Sequence, residues 1–430
     1  MDITELPALE QACLIKQRES SCRELVLSHL QLIERVNRSV NAILQLDAER
    51  ALEQADEIDR QVSQNVDVGL FGGVPFTAKD NLETAGIVTA IGVPERQRAI
   101  PACDATVVRR MKAAGAILLG KTNCPPWGGG LETDNPVYGR TNNPYDLART
   151  PGGSSGGEAA AVASGMSAFG LGSDSGGSLR YPAHFCGIAT IKPTAGLIPT
   201  TGALDDIGQF GALRDPRTQV GPMARSIEDL IAMLDVLRGP DGVDASIVPM
   251  DLPFSELDGL RVAIQLTNGE VAPTPETLEA LAEASEVLQA AGASVDSAEL
   301  PDEGLSLTRE IWRSYGGEMS ATELYQVLAH WDEFRNRSLE WFQEFDLILR
   351  PVNSGPAPFH GYTDAAELYT VPFSLTGWPA AVVRCGTCSE GLPIGLQIVA
   401  HPWHDRLALQ AALHLERALG GWRRPTVYRN

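Results

Sequence analysis

Basic side chains are scarce in this sequence: 34 Lys and Arg stand against 55 Asp and Glu, a formal net charge of −21. Nucleic acid and anionic lipid are bound first by neutralising phosphates with such cations, so the balance argues against both as partners. No stretch approaches the roughly 18 consecutive apolar residues that cross a bilayer. The N-terminus, MDITELPALEQACLIKQRES, lacks a charged leader followed by an apolar core. The expectation is a cytoplasmic protein with no membrane span. Cysteine is sparse and odd in number, at 13, 22, 103, 124, 186, 385 and 388. That scatter excludes a disulfide framework and fits a reducing compartment. Cys385-Gly-Thr-Cys388 has redox-type spacing but lacks the second pair of a zinc site, so both thiols read as buried or incidental.

What is present is enough apolar surface for a large core. Hydrophobic residues make up 43% of 430, which excludes a disordered chain. Residues 5–62 carry helical periodicity, with Leu25, Leu30, Ile33 and Val36 on one face. A turn and a short buried strand follow at 69–79, then a helix around Val107–Ala114 and a buried strand at Ala116–Leu119. Residues 120–157, rich in Gly, Pro, Asn and Thr, predict long ordered loops, which in a compact domain usually serve function. A helix of small residues is expected at 157–169 and a Gly-rich loop at 172–178. Residues 260–300 alternate strand, helix and strand, with Thr274-Pro275 suited to a helix start. Strands are expected at Ala380–Val383 and Leu396–Val399, and a closing helix near 404–419. No repeat or flexible linker is visible. The reading is one large α/β domain, a mixed central sheet flanked by helices.

Three features carry chemistry: Gly152-Gly-Ser154-Ser155-Gly-Gly157, then Gly172-Ser-Asp174-Ser-Gly176-Gly177-Ser178-Leu-Arg180, and Lys79 at the end of an apolar strand. Amide hydrolysis needs an activated hydroxyl, backbone N–H groups aimed at an oxyanion, and a proton carrier for the leaving amine. Glycines ahead of Ser178 let backbone amides approach a carbonyl closely. Seven histidines, at 29, 184, 330, 360, 401, 404 and 414, include none in a familiar nucleophile–base motif, although His184 lies six residues past Ser178. Of five lysines, at 16, 79, 112, 121 and 192, Lys16 and Lys112 fall on amphipathic stretches that suit solvated surface positions. Lys79 ends an apolar run and points inward, where desolvation lowers its pKa toward that of a usable base.

These segments resemble the amidase signature family. GGSSGGEAAAVASG at 152–165, GLGSDSGGSLRYPAHFCG at 170–187 and IKPTAGLIPTTG at 191–202 are similar to its defining block, and GGVPFTAKDN at 72–81 to its lysine segment. Further matches run through GKTNCP at 120–125, YGRTNNP at 138–144, VGPMARSIEDL at 220–230 and GWPAAVV…GLPIGLQIVA at 377–400. The resemblance implies a Ser–Ser–Lys triad: Lys79 as base, Ser154 as relay after a cis peptide bond, Ser178 as nucleophile. It implies oxyanion donors from the backbone of Ser175, Gly176, Gly177 and Ser178, with Asp174 and Arg180 paired to brace that loop and Ser155 in support. It implies one domain divided into an N-terminal helical segment (about 5–62), a catalytic core (about 65–230), a variable substrate region (about 240–345) and C-terminal core strands and helix (about 346–420), and it implies no metal or cofactor. The chain departs from the pattern at Glu158, where a Ser is usual, and at Ser374, where Asn is frequent.

The substrate expectation is a small amide-type molecule: an amide, anilide, carbamate or urea. The Cys124–Gly130 segment with Trp127 and Gly128, residues 203–217, and Tyr369–Trp378 are expected to line its pocket. The expected state is a monomer or homodimer. Two alternatives stand beside this reading. One is a glutaminase component of a tRNA-dependent amidotransferase, which co-purifying partners would reveal. The other is an α/β-hydrolase elbow at Gly153-Ser-Ser155-Gly-Gly157, with Ser155 as nucleophile and a downstream histidine. A serine three residues before a lysine, the pattern of penicillin-binding enzymes, is absent from all five lysines. His401-Pro-Trp-His404-Asp405 offers possible metal ligands, but a polar strand-end loop is the commoner meaning, and no metal is assigned.

Overall fold

Short runs of apolar and small residues, bounded by glycine and proline, become the strands of a single mixed sheet. The computed structural model describes residues 2–204, 217–253, 256–300, 306–314, 319–361 and 369–425. In chain order the strands are β1 (Ile43–Leu46), β2 (Pro75–Lys79), β3 (Ile117–Thr122), β4 (Phe169–Asp174), β5 (Ala189–Lys192), β6 (Gln219–Ala224), β7 (Arg261–Ile264), β8 (Ser294–Ser297), β9 (Leu347–Pro351), β10 (Ala380–Thr387) and β11 (Pro393–Ala400). Their order across the sheet is β1-β3-β2-β4-β6-β5-β10-β11-β9-β7-β8. The strands β3, β2 and β4 run parallel, as do β9, β7 and β8; the strands between these groups pair antiparallel.

Central strands such as β2, β4 and β6 are buried along their whole length, because helices cover both faces. The sequence signals explain several helix bounds. Ser21 caps helix Cys22–Val40 by accepting from Glu24 N, and Asn41 ends it in the left-handed conformation. Thr274 caps helix Pro275–Ala290, with Pro275 in the first turn.

Three expectations need correction. The stretch 5–62 is not all helix: β1 interrupts it and pairs antiparallel with β3. The helix expected over 157–169 spans Gly156–Ala163 and stops there. The first three residues of the expected loop at 172–178 are strand, since β4 continues to Asp174. The first and third differences follow from sheet pairing between segments far apart in sequence, which overrides local pattern. The result places Lys79 and Asp174 at the carboxyl ends of parallel strands β2 and β4, the usual position of a ligand crevice in an α/β sheet.

Candidate active site

Lys79 is the last residue of β2 and is fully buried. Alternation along the strand puts it on the same face as Thr77, toward helix Gly156–Ala163. Its Nζ donates to Ser154 Oγ at 2.6 Å and to Ser173 Oγ at 2.9 Å. Asn81 Nδ2 also donates to Ser173 Oγ, at 3.1 Å. Burial pushes the Lys79 amine down to about 8, against the opposing influence of Cys124, Asp174 and Glu158. About a tenth of the amine is thus neutral at pH 7, far more than for an exposed lysine. The peptide bond between Gly153 and Ser154 is cis.

Two other lysines are buried, and their contacts separate them from this site. Lys121 faces Asp80 at 3.3 Å and donates to Leu82 O at 2.7 Å. Burial moves both members of that pair toward their neutral forms. Lys192, pulled by burial to about 7, donates to Pro193 O. Neither bonds to a serine of the two loops.

The loop after β4 is organised by Asp174. Its carboxylate accepts from Gly177 N at 2.8 Å, Leu179 N at 3.1 Å and Arg180 Nε at 3.0 Å. Burial alone would raise this carboxyl, but the Arg180 charge and bonds outweigh it and hold it below the ordinary range. Arg180 spreads further, to Thr370 O at 2.8 Å and Ser374 Oγ at 2.7 Å. Ser374, a departure from the family pattern, is therefore part of this brace. The expected pairing of Asp174 with Arg180 is present, wholly buried.

One expected role changes. Gly177 N–H is committed to Asp174, so it does not join a row of donors facing the cleft. The residue serves the turn instead: its φ is +135°, and a Cβ there would lie 2.4 Å from the Tyr181 ring. Ser175, Gly176 and Ser178 keep their backbone N–H groups in the loop. Ser178 is half-buried. Its carbonyl accepts from Ser155 N at 3.2 Å, which joins the two serine loops directly.

Ser155 is fully buried and its hydroxyl donates to Ser173 O at 3.1 Å, so it cross-links the loops. The histidines that the elbow reading would recruit lie elsewhere. His360 meets Glu132, His401 stacks on Phe342 at 4.0 Å, and His404 faces Pro402 O. His184 accepts from Gly395 N and bonds to Gly355 O, and burial lowers it to about 4. Asp405 accepts from Thr194 N and Oγ1. Cys385 and Cys388 are buried free thiols.

The expected pocket segments divide. Trp127 is 37% exposed, with Arg96 6.0 Å from its ring, and takes the left-handed conformation. Gly128 beside it opens onto the site, since a Cβ there would stand 3.7 Å from Ser154 Oγ and 4.0 Å from Lys79 Nζ. Thr370 donates to Gly176 O and so borders the serine loop. Trp378 does not line it: it is buried against Phe342. Of the segment 203–217, residues 205–216 lie outside the described residues; Leu204 O accepts from Asn81 at 3.1 Å.

Sequence reasoning missed Ser173, Asn81 and Trp312. Ser173 and Asn81 stood inside segments already singled out, next to Asp174 and Asp80. Trp312 had no signal, yet its indole rests on Gly176, 2.7 Å from where a Cβ would be.

A family model described as Amidase matches residues 24–326 and 318–409. A glutamyl-tRNA(Gln) amidotransferase component from Alkaliphilus metalliredigens is 31% identical, over 98% of this chain and 98% of its own length. The protein of the same description from Cyanothece sp. is 32% identical, over 93% and 95%. Among solved structures, 6-aminohexanoate cyclic dimer hydrolase complexed with substrate has a TM-score of 0.85 at 28% identity, covering 99% of this chain and 100% of that one. A bacterial aryl acylamidase of the amidase signature family has a TM-score of 0.87 at 25% identity, covering 96% of each.

Proposed function

As this chain belongs to the amidase family, we propose that it hydrolyses a carbon–nitrogen bond of a small amide-type substrate, with Ser178 as nucleophile, Ser154 as relay and Lys79 as base. The observation that carries this reading is the contact of Lys79 Nζ with Ser154 Oγ at 2.6 Å, in a buried setting joined to the Ser178 loop. Neutral Lys79 accepts the proton of Ser154 as Ser154 accepts that of Ser178. The Ser178 oxygen attacks the carbonyl carbon, and the N–H groups of Gly176 and Ser178, with Ser175, receive the oxyanion. On collapse the C–N bond breaks and Ser154 hands a proton to the leaving nitrogen, recovering one from Lys79. Water then adds to the acyl group along the same relay, and the acid leaves as Ser178 regains its proton.

The half-exposed Trp127 and the Trp312 indole on Gly176 support a substrate with an apolar flank. A fluorophosphonate should label Ser178, located by peptide mass mapping, and Lys79→Ala should slow that labelling. Label on Ser155 instead would overturn the assignment.

The names of the similar proteins favour a second reading, a glutaminase component of a tRNA-dependent amidotransferase. Glutamine hydrolysis that appears only with co-purifying partner chains would decide for it. Turnover of anilides or carbamates by the isolated chain would decide against it.

A further inference from the structure

Outside the serine loops, three buried side chains that carry unpaired donors line one cavity. It has a volume of about 240 Å³, and its lining includes Gln265, Asn268, Glu299, Leu300 and Arg350. The cavity lies where the second group of parallel strands ends. Gln265 follows β7, Glu299 and Leu300 come just after β8, and Arg350 is the penultimate residue of β9. The carboxyl ends of parallel strands are where α/β sheets ordinarily hold ligands.

Arg350 is 1% exposed, and its Nη1 donates to Gln265 Oε1 at 2.7 Å. Its Nε and Nη2 have no hydrogen-bond partner among the described residues, nor do Gln265 Nε2 and Asn268 Nδ2. All four are N–H groups. The Tyr369 and Phe373 rings, 5.4 and 5.3 Å from the guanidinium carbon, ease its charge but accept no hydrogen bond from that edge. Leaving a buried guanidinium half satisfied is costly, and what removes the cost is an acceptor with negative charge. Nε and Nη2 form one edge of the guanidinium, the fork that matches the two oxygens of a planar carboxylate.

We propose that this cavity is a binding site for a short-chain carboxylate, held by the Nε–Nη2 edge of Arg350 with Gln265 Nε2 and Asn268 Nδ2. Leu300 supplies an apolar wall for the alkyl part. Glu299, also on the lining, interacts with the Arg350 charge without hydrogen-bonding to it, so the Nε–Nη2 edge stays open, and its charge opposes a dianion more than a monoanion. A carboxylate is therefore favoured over phosphate. None of the lining residues belongs to the serine loops, although Arg350 lies near enough to Arg180 for their charges to interact, so the test reads binding rather than activity.

The test is thermal unfolding of the whole chain in acetate and in phosphate, each against chloride at equal pH and ionic strength. Acetate should raise Tm in a saturable way, and phosphate should do so less. Asn268→Asp keeps an oxygen to accept from Glu270 N at 3.0 Å and Val271 N at 2.8 Å, while replacing the unpaired donor with a charged oxygen. The apparent Kd for acetate in that variant should rise at least about tenfold. Arg350→Met should abolish the response; if that variant does not fold, Asn268→Asp decides alone. No acetate-specific rise in the wild type, an equal response in Asn268→Asp, or a stronger response to phosphate would each overturn the proposal.

Discussion

Glu158 fills the space that Gly170 leaves open: a Cβ on Gly170 would lie 1.8 Å from Glu158 Oε1. The carboxyl accepts from Thr122 Oγ1 at 2.7 Å and meets Thr77 Oγ1, so it is pinned against β2 and β3 on the face that carries Lys79. Burial raises it to about 7, against the two threonine hydroxyls and the charges of Lys121 and Lys79.

A raised carboxyl binds its proton more tightly folded than unfolded. Its stabilising effect is complete below the unfolded value near 4.5 and is lost as pH rises through about 7. Glu158→Gln should therefore flatten this part of the pH dependence, reducing the stability lost between pH 5 and pH 8 by about 1–3 kcal/mol. Urea unfolding of both proteins at the two pH values measures it. An identical loss in the variant would show that Glu158 is not the group responsible.

The proposed base gives a pH limb of definite sign. Burial lowers the Lys79 amine to about 8, and activity requires it neutral, so kcat/KM should rise with pH through that region. Lys79→Ala should remove the limb and cost several orders of magnitude; Lys79→Arg should not rescue it, because guanidinium stays charged. Glu158 and Ser173 both favour the charged amine, one by its charge and one by accepting a hydrogen bond from it at 2.9 Å. Glu158→Gln and Ser173→Ala should shift the limb to lower pH. A limb that persists in Lys79→Ala would assign the base elsewhere.

Two tryptophans flank the site from different parts of the chain. Trp127→Ala should change the ratio of kcat/KM between bulky and small amides by about tenfold, roughly 1.4 kcal/mol. Trp312→Ala should alter the same ratio, because it uncovers Gly176. A substrate panel assayed on both variants checks this. Constant ratios would put both rings outside the pocket.

The Asp174–Arg180 pair is fully buried and ties the serine loop to Thr370 and Ser374. Removing one partner leaves the other charge uncompensated, so Asp174→Asn should destabilise the protein by about 3–5 kcal/mol. Denaturant midpoints for the variant and for Asp174→Asn/Arg180→Met together test the coupling. A double variant no more stable than the single one would show that the stranded charge is not what costs.

Local sequence by itself determined much of this protein. The Thr274-Pro275 helix start, the apolar strands and the glycines of the two loops act through neighbours within a few residues, so their meaning was legible in the chain. The amidase resemblance likewise rested on contiguous blocks. Tertiary structure alone decided what depends on residues distant in sequence meeting in space. Pairing with β3 turned residues 43–46 from helix to strand. The approach of β2 to β4 gave Lys79 a second partner in Ser173, and Arg180 reached Thr370 and Ser374. Trp312 reached Gly176 across the fold, and Arg350 was left with an unpaired edge. Side-chain direction and desolvation arise only when strands and helices pack, and no local pattern encodes them.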